Sequence, residues 1–494
     1  MPITFKNVPA NLRVPLFYAE VDNSQANTAQ FLQRTLLIGQ KTAAGSAPAN
    51  VPIKVGGASE ARTYAGPNSV LAQMADAYFA NDAAGEVYLL PIDDPAGGVA
   101  ATATLTFTAQ ATANGTFYLY LCGTRYALPV LATQTVSQLA AALVALVNAD
   151  PMCPVTASAV GAVVTLTSDN TGKVGNGHEA WVNYRGAPSG EVLPAGLTYT
   201  LAVFSGGTGV RSLVTDAIPS LGNDAFDFIV LQYPEVTNLD ELKTLLSDVN
   251  GRWSYLQQLY GHVFCANSGT LGDNTTFGQG RNNQHETLMA FAGGPTPVYR
   301  WSAAVAGASA VSLRNDPALP LHTVAVLGIV APRRQNQYTL TERNSLLYAG
   351  MSTFTVDDDG TVRLEGVITT YQKNAFGAPD NSYLKVETLF TLAYVLRFMK
   401  TAITSKFARV KLASSSQRIG AGASVVTPNV IRAELIAQYR ELESRGYVQN
   451  VEAFKAALVV EQNASNPNRV DVLWPGTLIN QLDVLALLAQ FRLN

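Results

Sequence analysis

Four histidines (His178, His262, His285, His322) and three cysteines (Cys122, Cys153, Cys265) are the side chains of this 494-residue chain best suited to metal binding or nucleophilic chemistry. No histidine stands four residues from another, and His285-Glu286 is not continued to the HExxH spacing of a zinc protease. The cysteines are too widely spaced for a CxxC pair or a disulfide framework, and they read as reduced thiols. The glycine-rich run at 205–209 has no Lys-Ser/Thr after it. Thr171-Gly172-Lys173-Val174 lacks the spacing and final hydroxyl of a phosphate loop. Both read as turns. No G-x-S-x-G elbow occurs. The only acidic cluster, Asp357-Asp358-Asp359, is consecutive and ends in Gly360, whereas a calcium loop needs alternating ligands and a distal glutamate. It reads as a hairpin turn. No nucleophile, base and oxyanion donor assemble, so the expectation is no enzyme, no metal and no cofactor.

Composition narrows the classes further. Lys and Arg number 33, Asp and Glu 36, and charged residues make up 14% of the chain, against about 25% in an ordinary soluble protein. The net charge of -3 lacks the basic excess of a nucleic-acid binder, and 48% hydrophobic residues exclude a disordered chain. The longest apolar stretches, 136–147 and 324–331, are shorter than the roughly 18–20 residues that span a bilayer. The first residues show no secretory h-region. Manufacture in a cytoplasm without membrane insertion is the expectation. So little charge on so long a chain leaves two options: a neutral-polar surface, or a surface covered by other subunits.

The elements that would carry any site fall into blocks. Residues 1–25 read as an arm: Pro2, Pro9 and Pro15 break helices, and 14–21 is a loosely alternating strand without a local partner. Strands are expected at 34–38 and 86–91, with a helix over 69–80 between them. From 96 to 205 the chain turns to Ala, Thr, Val and Gly. Its only charges there are Arg125, Asp150, Asp169, Lys173, Glu179, Arg185 and Glu191. Alternating strands at 103–109, 116–121, 155–159 and 162–168 surround one helix, Val136–Asn148, and Asn114-Gly115 reads as a hairpin turn. The α/β pattern then resumes, with strands at 226–232, 261–266, 287–291 and 298–301 and helices over 239–259 and 301–310. Beyond it come strands at 351–356 and 361–370, helices over 383–407, 429–445 and 451–458, and a strand at 469–473. The fold class expected is α/β and α+β multidomain.

Two features of the last third stand out. The terminal segment 482–493 carries Leu485, Leu487, Phe491 and Leu493 on one face and Leu482, Val484 and Leu488 on the other. A strand apolar on both faces must be buried on both. Between 381 and 418 lie Lys385, Arg397, Lys400, Lys406, Arg409, Lys411 and Arg418 against Glu387 alone, an excess of six positive charges suited to an acidic partner.

From Trp301 onward the sequence resembles contractile phage tail sheath proteins, those of Mu-like phages in particular. The resemblance rests on NDPALPL (315–321), ERNSLLYAGMSTFTVDDDGTVRLEGVITTYQKN (342–374), Ser382-Tyr383-Leu384, KFARVKLA (406–413), VTPNVIRAELIAQYRELESRGYV (426–448) and NRVDVLWPGTLINQLDVLALLAQFRL (468–493). It implies a structural subunit stacked as hexameric rings in a helical sheath around a tail tube. Terminal arms of such subunits complete a sheet in a neighbour, and the mesh persists through contraction.

On that resemblance the domains are an arm (1–25), an α/β middle domain (26–95 with 206–340), an inserted β-rich domain (96–205), a C-terminal α+β domain (341–480) and an arm strand (481–494). The inter-subunit residues are Val14, Leu16, Phe17, Tyr18, Val21, Leu482, Val484, Leu485, Leu487, Leu488, Phe491 and Leu493. Residues 23–27, Pro475 and Gly476 are the expected hinges. Lys400, Lys406, Arg409 and Lys411 are expected to face the tube. Implied partners are further copies of the chain, the tail tube protein, and the baseplate and tail terminator proteins, with no nucleic acid. The location implied is the virion tail, after the host cytoplasm. A tail-like bacteriocin or secretion-system sheath is the near alternative. A capsid or tube subunit and a cytoplasmic α/β enzyme are the alternatives of other classes.

Overall fold

Buried apolar runs fix the centre of the molecule, seen in a computed structural model that describes residues 32–417 and 424–492. The chain opens with β1 (Arg34–Gln40), β2 (Ile53–Val55), α1 (Ala58–Ala65), α2 (Val70–Phe79) and β3 (Glu86–Ile92). Ser69 caps α2 by accepting from the Ala72 amide. An insertion follows, described below, with β4 (Ala100–Ala109), β5 (Gly115–Leu121), β6 (Thr124–Val130), α3 (Val136–Asn148), β7 (Val155–Val160), β8 (Val163–Thr171), β9 (Ala180–Val182) and β10 (Thr198–Leu201). The centre resumes with β11 (Phe228–Leu231), α4 (Val236–Leu245), β12 (His262–Ser268), α5 (Leu271–Gln279), β13 (Glu286–Phe291) and α6 (Val298–Asn315).

The central sheet has the order β13-β12-β11-β1-β3-β2, parallel except for the edge strand β2. Alternate strand residues feed two cores. Leu37, Leu89, Val230 and Phe264 face the layer of α2 and α6, while Leu36, Leu90, Ile229 and Val263 face that of α4. Burial on both faces is why these strands read as continuous apolar runs.

The insertion has a core of its own. One sheet has the order β10-β4-β8-β7 and the other β6-β5-β9, with Leu139, Ala140, Leu143 and Val147 of α3 buried against them. Asn114-Gly115 makes no hairpin, because β4 pairs with β8 and β10 rather than with β5. The hairpin turn is Cys122-Gly123, between paired Leu121 and Thr124. Its φ values of 50 and 88 are the left-handed pair that a two-residue hairpin loop needs. The insertion leaves the centre through antiparallel bridges Val99–Thr208 and Thr102–Ser205. Polar contacts bolt it down: Asn170 accepts from the Val70 amide and donates to Asp94, and Arg300 donates to the Cys122 carbonyl.

Two further expectations are corrected. The helix over 239–259 stops at Leu245, because Arg252 turns inward and donates to the carbonyls of Gly222 (2.9 Å) and Asp224 (2.5 Å). Residues 298–301 are the first turn of α6 and not a strand.

The last third contains β14 (Ala325–Val326), α7 (Leu340–Tyr348), β15 (Thr353–Val356), β16 (Val362–Gly366), α8 (Val386–Phe407), β17 (Lys411–Leu412), β18 (Val425–Val426), α9 (Pro428–Ser444), β19 (Val448–Gln449), α10 (Val451–Ala457), β20 (Val459–Gln462), β21 (Val470–Leu473) and β22 (Thr477–Leu478). Asp357–Asp359 and Gly360 form the β15–β16 turn, as the sequence suggests. Leu346, Phe354, Leu364 and Phe390 pack into the central cores, although the sequence groups them with the C-terminal domain. The separate C-terminal core begins at Val395, part-way along α8, and gathers Leu435, Tyr439, Leu442, Val448, Phe454 and Leu458.

Candidate assembly interface

Three of the four histidines and all three cysteines are spent on packing. His178 lies buried between Ser168 Oγ (3.0 Å) and Tyr299 OH (3.2 Å), and burial pushes it down to about 4. His262 meets Thr287 Oγ1, and His285 meets Asp248 and stacks on Trp253. All three cysteines are buried and free. Among the described residues no cluster of His, Cys, Asp or Glu is placed to hold a metal ion. No helix there is long and apolar enough to cross a membrane.

The C-terminal unit presents unfinished β structure instead. β20 and β21 form an antiparallel hairpin, and neither has a second strand partner among the described residues. An isolated two-stranded hairpin is marginal in water. This one rests on α9 and leaves Val459, Val472 and Leu473 exposed, Leu473 by 64%. Open edges beside exposed apolar side chains are the features that accept an added strand.

The chain then runs into its terminal segment. Trp474 packs with Tyr439 and Phe454. β22 pairs with β19, Thr477 N donates to Tyr439 OH at 3.1 Å, and Ile479 N donates to the Tyr447 carbonyl at 3.1 Å. A Cβ on Gly476 would lie 1.9 Å from the Trp474 ring, so glycine here serves close packing. The hinge expected at Pro475 and Gly476 is therefore pinned, and the chain becomes free only further on.

Asp483 is the last anchored residue, accepting from Lys385 Nζ and His322 Nε2, each at 2.9 Å. Burial raises the Asp483 carboxyl, but Lys385 and His322 outweigh it and hold the group below the usual range. Residues 484–492 form no strand in the single subunit and have no ladder partner among the described residues, and a strand needs such a partner. Leu482, Val484, Leu485, Leu487, Leu488 and Phe491 are 71–84% exposed. Both apolar faces thus meet solvent in the single subunit. Leu493, the arm residues Val14, Leu16, Phe17, Tyr18 and Val21, and the hinge 23–27 lie outside the described residues.

Comparison with known proteins decides the family. The model for the phage tail sheath protein central domain matches residues 212–370, and that for the phage tail sheath C-terminal domain matches 378–492. A Mu-like prophage FluMu tail sheath protein of Haemophilus influenzae is 39% identical over 495 residues, covering 100% of both chains. The chain belongs to the phage tail sheath family. This is a family of structural proteins, not of enzymes. Among solved structures, a sheath tail protein of Desulfitobacterium hafniense overlays with TM-score 0.48 and 14% identity, over 95% of this chain and 97% of that one. The contracted helical sheath of the anti-feeding prophage gives 0.48 and 11%, over 98% and 100%.

In this sheath chain the basic segment is less exposed as charge than its sequence suggests. Lys385 pairs with Asp483, Arg397 with buried Asp227, and Lys406 with Glu434. Lys400, Arg409 and Lys411 are exposed, and none has an ion pair among the described residues. Arg418 lies outside them. Sequence reasoning passed over His322 and Asp483 as partners. The one available signal was Asp483 itself, the single acidic residue between Val472 and Asn494.

Proposed function

We propose that the chain polymerises as stacked hexameric rings in a helical sheath around a tail tube, and that contraction of the sheath drives the tube through the host envelope for genome ejection. The observation that carries this reading is one juxtaposition. An arm apolar on both faces has no strand partner among the described residues, and a two-stranded hairpin with open edges stands in the same C-terminal unit. Donation of 484–492 to the hairpin of a neighbour covers both. The N-terminal arm adds a further strand.

The magnitudes favour a mesh over isolated contacts. Each buried Leu, Val or Phe contributes about 1.5–3 kcal/mol. Each ordered residue costs about 1–2 kcal/mol. The two nearly cancel along the arm, and each ladder hydrogen bond adds only about 0.5–1.5 kcal/mol. Stability then comes from repetition around each ring and along the tube.

Lys400, Arg409 and Lys411, with Lys406 offset by Glu434, form the seat on an acidic tail tube. Baseplate and tail terminator proteins close the two ends. The subunit waits in the host cytoplasm and ends in the virion tail. Charge reversal at Lys400 and Arg409 tests the seat: tubes of sheath still form, but sheath no longer co-sediments with tail tube. Unchanged co-sedimentation and infectivity would exclude it.

A further inference from the structure

We infer that Asp483, His322 and Lys385 form a clamp that sets where the C-terminal arm leaves the body and in which direction its strand is offered. The inference rests on the reading of 484–492 as a donated strand.

Three separate parts of the chain meet at the clamp. His322 lies in the link between α6 and β14, Lys385 stands immediately before α8, and Asp483 is the sole acid of the arm. Upstream, Ile479 is tied to the Tyr447 carbonyl. No backbone hydrogen bond to another described residue holds 480–492. Asp483 and Val484 form part of the wall of an open groove of about 1010 Å³, and the bonds to His322 and Lys385 tie the arm to the body at this point. The strand has period two, and a change in its exit register would exchange its faces. A fixed exit point is therefore useful to an arm that must present Leu485, Leu487 and Phe491 together.

The histidine bridges the body of the chain and the arm. His322 Nδ1 lies 2.5 Å from the Glu365 carbonyl, and Nε2 lies 2.9 Å from Asp483 Oδ1. The carbonyl and the carboxylate are both acceptors, so the imidazole is held between the body of the chain and the arm. The other charged groups around the clamp are fixed elsewhere or stand further along the groove. Glu387 on α8 accepts from the Leu321 amide. The Glu365 carboxylate on β16 is held by Arg343 of α7 and by Thr353. Asp380 and Lys373 line the groove.

The test uses the full-length chain and its Asp483→Asn and Asp483→Glu variants, each with a spin label on Ala486→Cys, kept dilute and unassembled for the label spectrum, then concentrated for light scattering. In Asp483→Asn the immobilised fraction of the label is about threefold to tenfold lower than with Asp483 in place, and polymer growth is slower by a similar factor. Asp483→Glu keeps both near the values with Asp483. Equal label mobility with and without the Asp483 carboxylate overturns the clamp, as does undiminished polymer growth in Asp483→Asn. A chain lacking 484–492 separates this failure from that of the underlying reading. If that chain polymerises, strand donation itself falls and the clamp's role with it. If it does not, while Asp483→Asn behaves as wild type, the clamp alone is wrong.

Discussion

Arg397 Nη1 on α8 donates to Asp227 Oδ1 at the foot of β11 across 2.5 Å, with both side chains largely out of solvent. The same carboxylate accepts from the Arg34 amide of β1 at 3.2 Å. One buried acid thus joins the long helix of the C-terminal part to two strands of the central sheet. Burial pushes the Asp227 carboxyl up, and Arg397 opposes the shift.

Removing one partner of this pair leaves a buried charge uncompensated. Arg397→Ala is expected to cost about 3–5 kcal/mol, and Arg397→Met with Asp227→Leu is expected to cost little. Guanidinium denaturation of Arg397→Ala and of the double variant checks this. Equal losses in Arg397→Ala and the double variant would contradict it.

Acid should act through Asp82. Its carboxylate takes two bonds from Arg314, at 2.6 and 3.1 Å, and one from Tyr78 OH at 2.7 Å. Burial raises this carboxyl, but the bonds from Arg314 and Tyr78 outweigh it and the group ends below its usual 3.8. A depressed carboxyl stabilises the fold above the unfolded value, and that contribution is lost as pH falls through the folded one. Asp82→Asn should therefore lower the thermal midpoint at neutral pH and flatten its decline between about pH 5 and 3. Parallel wild-type and variant curves would exclude this role.

The packing of Gly476 on Trp474 predicts a large effect from one methyl group. Gly476→Ala must push the indole away from Tyr439 and Phe454, at a cost of about 1–3 kcal/mol to the C-terminal unit. Near-ultraviolet circular dichroism during thermal unfolding reads it. An unchanged midpoint would restore residues 475–476 as a flexible hinge.

Leu473→Asp tests the accepting edge. The side chain is 64% exposed, so the midpoint of the single subunit should move by no more than about 0.5 kcal/mol equivalent. Sheath polymer, followed by light scattering, should be lost or strongly delayed. Polymer growth at the wild-type rate would remove the hairpin as acceptor.

What the sequence reveals depends on the distance over which each feature is decided. The central strands are legible because Leu36, Leu37, Ile38 and Phe228–Leu231 are apolar without alternation, which burial on both faces demands. Helix α3 is legible to the residue because its apolar stripe is local. Pairing is not local. Asn114-Gly115 looks like a turn, yet β4 finds its partners at β8 and β10. Arg252 ends a helix by reaching carbonyls 28 and 30 residues away. The clamp joins residues 161 apart, and no spacing rule connects His322 to Asp483. The arm shows the converse. Its two apolar faces are plain in the sequence, but no described part of the chain covers them.

Negative-stain electron microscopy of the purified full-length chain beside a chain ending at Gln481 tests the central claim most directly. The account predicts long hollow cylinders from the full-length protein. From the shortened one it predicts discrete particles with an unchanged thermal midpoint. Cylinders of normal appearance from the shortened chain would contradict it.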